Sequence, residues 1–179
     1  MLKRVTLTLA ALSFAAASTA FAQSKVSDED AKAMKNLAEA NLAEIQAGKL
    51  AADKAQSPQV KQFGNRMVQD HTQMLDELKQ LAQSKDVELP GSPGMGDKAH
   101  ELTLRTKSGQ DFDKEYMQDM VKDHQKDVQE TGELAQKVSD PQLKQAVQKA
   151  HAKIQEHLAM AKRIASSASA GGTSSSSSK

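Results

Sequence analysis

Ser57-Pro-Gln-Val-Lys-Gln62 and Asp140-Pro-Gln-Leu-Lys-Gln145 are one phrase written twice, 83 residues apart. A serine or aspartate before proline closes one helix and opens the next. Its side chain can cap free backbone N–H groups, and proline fits the first helical position, where no hydrogen bond is lost. Outward from Ser57, Met34, Leu37, Asn41, Glu44, Gly48, Ala51 and Ala55 precede it at alternating steps of three and four. Val60, Phe63, Met67, His71, Met74, Leu78 and Leu81 follow in the same way. Around Asp140 the pattern recurs, with Phe112, Tyr116, Met120, His124, Val128, Thr131, Ala135 and Val138 before it. Leu143, Val147, Ala150, Ile154, His157, Ala161 and Ile164 come after. Each series is one face of an α-helix. Turns this short make each pair an antiparallel hairpin.

Between the hairpins, residues 86–96 are rich in proline and glycine, and a short helix is expected roughly over 97–107. Ser108 with Asp111, like Ser27 with Asp30, has capping-box spacing. Two helical hairpins and one long crossover describe an all-α, ferritin-like four-helix bundle. Gly48 and Gly64 lie at similar distances from the first turn. A glycine inside a helix costs roughly 1 kcal/mol relative to alanine, so the pair is expected to mark a close approach of two helices.

The ends carry different messages. Lys3 and Arg4, the apolar run Val5 to Ala17, and Ala20-Phe21-Ala22 have the form of a Sec signal peptide cleaved after Ala22. Residues 1–22 are therefore read as signal, 23–165 as the bundle and 166–179 as a disordered serine-rich tail. Removing 22 of 179 residues leaves 157, enough for one domain with a core. Losing Lys3 and Arg4 takes the basic side chains from 24 to 22, against 23 acidic ones. Near-neutral charge gives no basis for nucleic-acid binding, and no second apolar run offers a membrane span. No cysteine is present, which fits an oxidising compartment and excludes a thiol nucleophile. Neither a nucleophile elbow nor a phosphate loop occurs, so a hydrolase is not expected.

The chemistry lies in a second repeat, Met67-Val-Gln-Asp-His71 and Met120-Val-Lys-Asp-His124. Each puts a histidine where the stripe calls for an apolar residue. Measured from the two turns, Glu44, His71, His124 and His157 all fall near mid-bundle, one from each long helix. Three imidazoles and a carboxylate suit one transition metal ion: zinc, iron or manganese. Val68, Val121 and Ile154 stand three residues before the histidines, so the Glu-x-x-His pairs of a di-iron centre are missing. At most a mononuclear site is expected. Met67, Met74, Met120 and Met160 share faces with the histidines and would favour copper(I), a weaker fit because stripe methionines usually fill cores. The alternative to a metal is a polar layer of histidines bonded to Glu44, Asn41 and each other. Asp70 and Asp123 are read as solvated acids, or else as acceptors for a histidine on a neighbouring helix. His100 and His151 are read as surface residues.

Leu42-Ala-Glu44-Ile-Gln-Ala-Gly48, Ser57-Pro58, Phe63-Gly-Asn-Arg-Met67-Val-Gln-Asp-His71, Phe112-Asp-x-x-Tyr116, His124 and His157-Leu-Ala together resemble a bacterial family, domain of unknown function 4142. That family usually carries a leucine-proline pair in its last helix, where this chain has His151-Ala152. The resemblance implies an exported ferritin-like bundle, often labelled an outer-membrane protein, with no established activity. No alternating ten-residue strands of a barrel occur here, so a periplasmic or secreted location is expected. Two functions are compatible with this reading. One is a non-enzymatic envelope-stress or interaction module with a structural histidine layer. The other is a mononuclear metal-binding protein using Glu44, His71, His124 and His157. A homo-oligomer or a protein partner is left open.

Overall fold

The computed structural model describes residues 26–171, with side chains to Ser167. Its elements are α1 (Asp28–Lys54), α2 (Pro58–Ser84), α3 (Met95–Arg105), α4 (Gly109–Lys137) and α5 (Pro141–Gly171), with no strand among the described residues. The four long helices are the two hairpins, α1–α2 and α4–α5. Among the described residues, no helix is long and apolar enough to cross a membrane. Residues 1–22, expected from the sequence to be a signal peptide, lie outside the described part.

The ends of the bundle show how the hairpins are oriented. Ala55, at the α1–α2 turn, bridges to Gly109 at the start of α4. There the Asp113 carboxylate accepts from the backbone N–H groups of Gln56 and Ser57, at 3.0 and 2.7 Å. At the opposite end, Asp30 accepts from Ser139 N and Oγ and from Asp140 N, at 3.1, 2.6 and 2.9 Å. Asp140 meets Lys85, just beyond α2, at 2.6 Å. The crossover through α3 thus returns the chain to the end where α2 began, and α4 runs parallel to α2. That is the connectivity expected of a bundle with one long link.

The caps differ in part from the sequence expectation. Ser27 accepts from Asp30 N at 3.0 Å, and Asp140 Oδ1 accepts from both Gln142 N and Leu143 N. Ser57 and Ser108 occupy N-cap positions, but neither side chain caps its helix. At the first turn Asp113, reaching across from α4, ties down the entering backbone instead. α5 also continues past Ala165 to Gly171. Ser166 and Ser167 donate their hydroxyls back to Arg163 and Ile164 carbonyls, so these serines bond within the helix instead of breaking it.

Gly48 and Gly64 are the contact point of the first hairpin. A Cβ on either would lie 2.7 Å from the other's carbonyl oxygen, and one on Gly64 would also meet Ala51 Cβ at 2.9 Å. Gly64→Ala is therefore expected to destabilise the protein. Helix propensity alone would return about 1 kcal/mol, but separating two backbones costs more, leaving a net loss of roughly 1–2 kcal/mol. A thermal melt tests it: a raised melting temperature would mean that the helices do not touch there.

The apolar core falls into two blocks. One gathers Met34, Ala38, Ile45, Leu75, Leu78, Ala135, Leu143 and Val147. The other gathers Leu50, Phe63, Met67, Phe112, Tyr116, Met117, Met120 and Ala161. On α2, His71 separates Met67 from Leu75. His124 on α4 and His157 on α5 likewise stand between members of the two blocks. The histidines form a polar floor across the middle of the molecule.

Candidate metal centre

His71, His124 and His157 are brought together. Their relative exposures are 4%, 0% and 0%, which removes bulk solvent as a partner. Ring centroids lie 5.2 Å apart for His71 and His157, 5.6 Å for His124 and His157, and 6.1 Å for His71 and His124. One nitrogen from each ring falls within 4.8 Å of the others.

The neighbours decide how each ring is protonated. Asn41 donates its side-chain N–H to the Leu37 carbonyl at 2.7 Å, which leaves its Oδ1 facing His71 Nδ1 at 3.0 Å. An oxygen there can only accept, so Nδ1 of His71 carries the hydrogen and Nε2 keeps a lone pair. Asp70 Oδ2 faces His157 Nε2 at 2.8 Å, so Nε2 is the donor and Nδ1 keeps the lone pair. His71 Nε2, His157 Nδ1 and both nitrogens of His124 are buried without a hydrogen-bond partner. The Met120 carbonyl, one turn back, pulls the His124 pKa upward, yet no well-formed bond to it exists.

Burial sets the charges. It pushes His71 well below its ordinary value, with repulsion from the other two rings adding to the effect. His124 is lowered to about 4, by burial first and by His157 second. For His157 burial also wins, over the opposing pull of Asp70. On Asp70 the balance reverses: burial would raise it, but hydrogen bonds from His157 and Arg66 hold it below the usual carboxylate range. At neutral pH the cluster is thus three uncharged imidazoles beside one ionised carboxylate. Neutral imidazole is the form that binds metal.

Glu44 reaches the cluster from another side. Its carboxyl, that of Asp127 and a nitrogen of His124 lie within 4.8 Å of one another. Glu44 Oε2 is buried without a partner. Burial, followed by repulsion from Asp127, Asp123 and Asp97, pushes Glu44 up to about 8. Asp127 rises to about 6, again through burial and then through Asp123. Both acids line a groove of about 440 Å³ between α1, α3 and α4.

Several sequence expectations change here. Asp70 is no solvated acid: it is 7% exposed and accepts from His157 and from Arg66, at 2.8 and 2.5 Å. Asp123, half-buried, lines the acidic groove. His100 is exposed and pairs with Asp119 at 3.0 Å, whereas His151 is half-buried against Thr131 Oγ1 at 3.0 Å. Met67 and Met120 pack within an apolar block. The sequence reading missed Asp127, although its place three residues after His124 puts both on one helix face. It also missed Arg66, one turn before Asp70.

The family model for the domain of unknown function DUF4142 matches residues 15–164. The chain belongs to that family, as its paired motifs suggested. Among curated proteins and among solved structures nothing matches it.

Proposed function

We propose that the protein binds a transition metal ion through His71, His124 and His157, and that it is exported to the periplasm or secreted. One observation carries the metal reading: four of the six ring nitrogens in the cluster are buried without a partner. A self-sufficient polar layer, as a structural interaction or stress module would need, leaves none of them bare. Each such nitrogen costs about 1–3 kcal/mol. The two that are bonded point to Asn41 and Asp70, and outer acceptors of this kind orient imidazoles toward a metal. Neutral imidazoles suit zinc, iron or manganese. Copper(I) gains little support, since Met67 and Met120 are taken up by the apolar core. Three protein ligands would leave a tetrahedral zinc one position for water or another small ligand. Export is supported by the form of residues 1–22 and by the absence of cysteine.

Elemental analysis of protein purified from the periplasm tests this reading. About one tightly held metal per chain is expected, lost in His71→Ala and in His157→Ala. Asp70→Asn should keep the site but weaken it roughly 10–100-fold. Metal far below one per chain, unchanged by any of these substitutions, would sink the proposal.

A further inference from the structure

We propose that Glu44 and Asp127, with His124, hold a second divalent cation at the floor of the acidic groove between α1, α3 and α4. Three observations carry it. First, oxygens of both carboxyls and a nitrogen of His124 lie within 4.8 Å of one another, a spacing one ion can bridge. Second, the position is shielded: Glu44 and Asp127 are half-buried, Glu44 Oε2 and both nitrogens of His124 are buried with no partner, and His124 is fully buried. Only His124 belongs to both clusters. As a neutral ring it offers one lone pair, so it can turn to either cluster but joins both ions at once only by giving up its remaining proton. Third, among the described residues no ion pair reaches Glu44 or Asp127, although the Lys126 charge is felt at Asp127. Among the groove's lysines, Lys126 pairs with Glu130 at 3.4 Å, while His100 is taken by Asp119.

The groove itself favours a cation. Eight carboxylates line it, including Asp97, Glu101, Asp119 and Asp123, against two lysines and one histidine. A concave surface of one sign concentrates counter-ions at its floor. Two carboxylates and one imidazole are harder donors than three imidazoles, so this position suits manganese or ferrous iron better than the three-histidine cluster does. The inference shares His124 with the three-histidine reading but needs neither His71 nor His157, so substitutions at the unshared residues tell the two apart.

Manganese(II) provides the probe. Its binding to the whole exported protein is read by electron paramagnetic resonance, and zinc binding by equilibrium dialysis. Glu44→Gln and Asp127→Asn keep side-chain volume, and circular dichroism checks that both variants stay folded. Each should weaken manganese binding roughly tenfold or more, because ligand charge is lost, while zinc held by the three histidines stays. The double variant His71→Ala, His157→Ala should lose zinc and retain manganese. Glu39→Gln and Glu101→Gln, which line the groove but lie outside the cluster, serve as controls and should change little. Manganese binding unaffected by Glu44→Gln and Asp127→Asn, or weakened equally by the controls, would overturn the proposal as diffuse attraction to the groove. Loss of manganese in the double histidine variant would also overturn it, since the positions would then not be separate. Zinc failing to bind while manganese binds would remove the three-histidine reading and leave this one.

Discussion

His124→Leu is expected to raise the melting temperature of the metal-free protein while abolishing its response to metal. Leucine is close to histidine in size and fills a fully buried position between apolar blocks. The substitution removes two nitrogens that reach neither bulk solvent nor a protein partner, each costing about 1–3 kcal/mol. Some of that gain is offset by imperfect packing, typically under about 1.5 kcal/mol for a swap of similar volume. A net gain of about 1–3 kcal/mol, at roughly 2–4 °C per kcal/mol, is readable in a thermal melt. With metal the order reverses. The native protein gains about 4 kcal/mol at a thousandfold excess of metal over its dissociation constant, and the variant gains nothing. A metal-free variant that melts below the native protein would show that His124 is satisfied as it stands, and the layer would then be structural.

The second large effect is a stability optimum near pH 6.5 in the metal-free protein. All three imidazoles are held below their ordinary value of 6.5, so the unfolded chain takes up protons that the folded chain refuses. Stability is fully present above about pH 6.5 and falls as acid is added. His124, lowered to about 4, accounts for about 3 kcal/mol of that loss on its own. Glu44 has the opposite sign. The folded chain keeps its proton up to about pH 8, while the unfolded chain releases it near 4.5, so stability declines as pH rises between those values. Asp127 acts in the same sense between 3.8 and about 6. Below pH 6 three rings outweigh two carboxyls, and above pH 6.5 Glu44 acts with little opposition. Melting temperatures from pH 4.5 to 8.5 should therefore trace a dome, and a flat profile across that range would contradict the buried, uncompensated cluster.

Local chemistry explains why so much of the bundle could be read in advance. The two Ser/Asp-Pro phrases mark the turns because capping and proline geometry act within three or four residues. The helical stripes are visible because a 3.6-residue period is intrinsic to the backbone. Even the height of the histidines followed from counting residues away from each turn, since every residue of a helix adds the same rise. Gly48 and Gly64 were legible for a related reason: a cost within each helix implied a benefit between them.

What lay beyond such reasoning was the direction each polar side chain takes once four helices meet. Asp70 and Asp123 hold the same place in the same pentapeptide, yet one bonds His157 and the other faces the acidic groove. Their helices have different neighbours, and nothing within five residues encodes that. Glu44 shares the level of the histidines, but it meets Asp127 and His124 at the edge where α3 and α4 come against α1. Ser57 had the right identity for a cap, and Asp113 from α4 took over part of the work. The sequence by itself determined four rods, their turns and a shared histidine level, because these follow from periodicity and caps. The tertiary structure alone decided which nitrogens are bonded, which are bare and where the acids gather, because burial and cross-helix distances arise only when the rods pack.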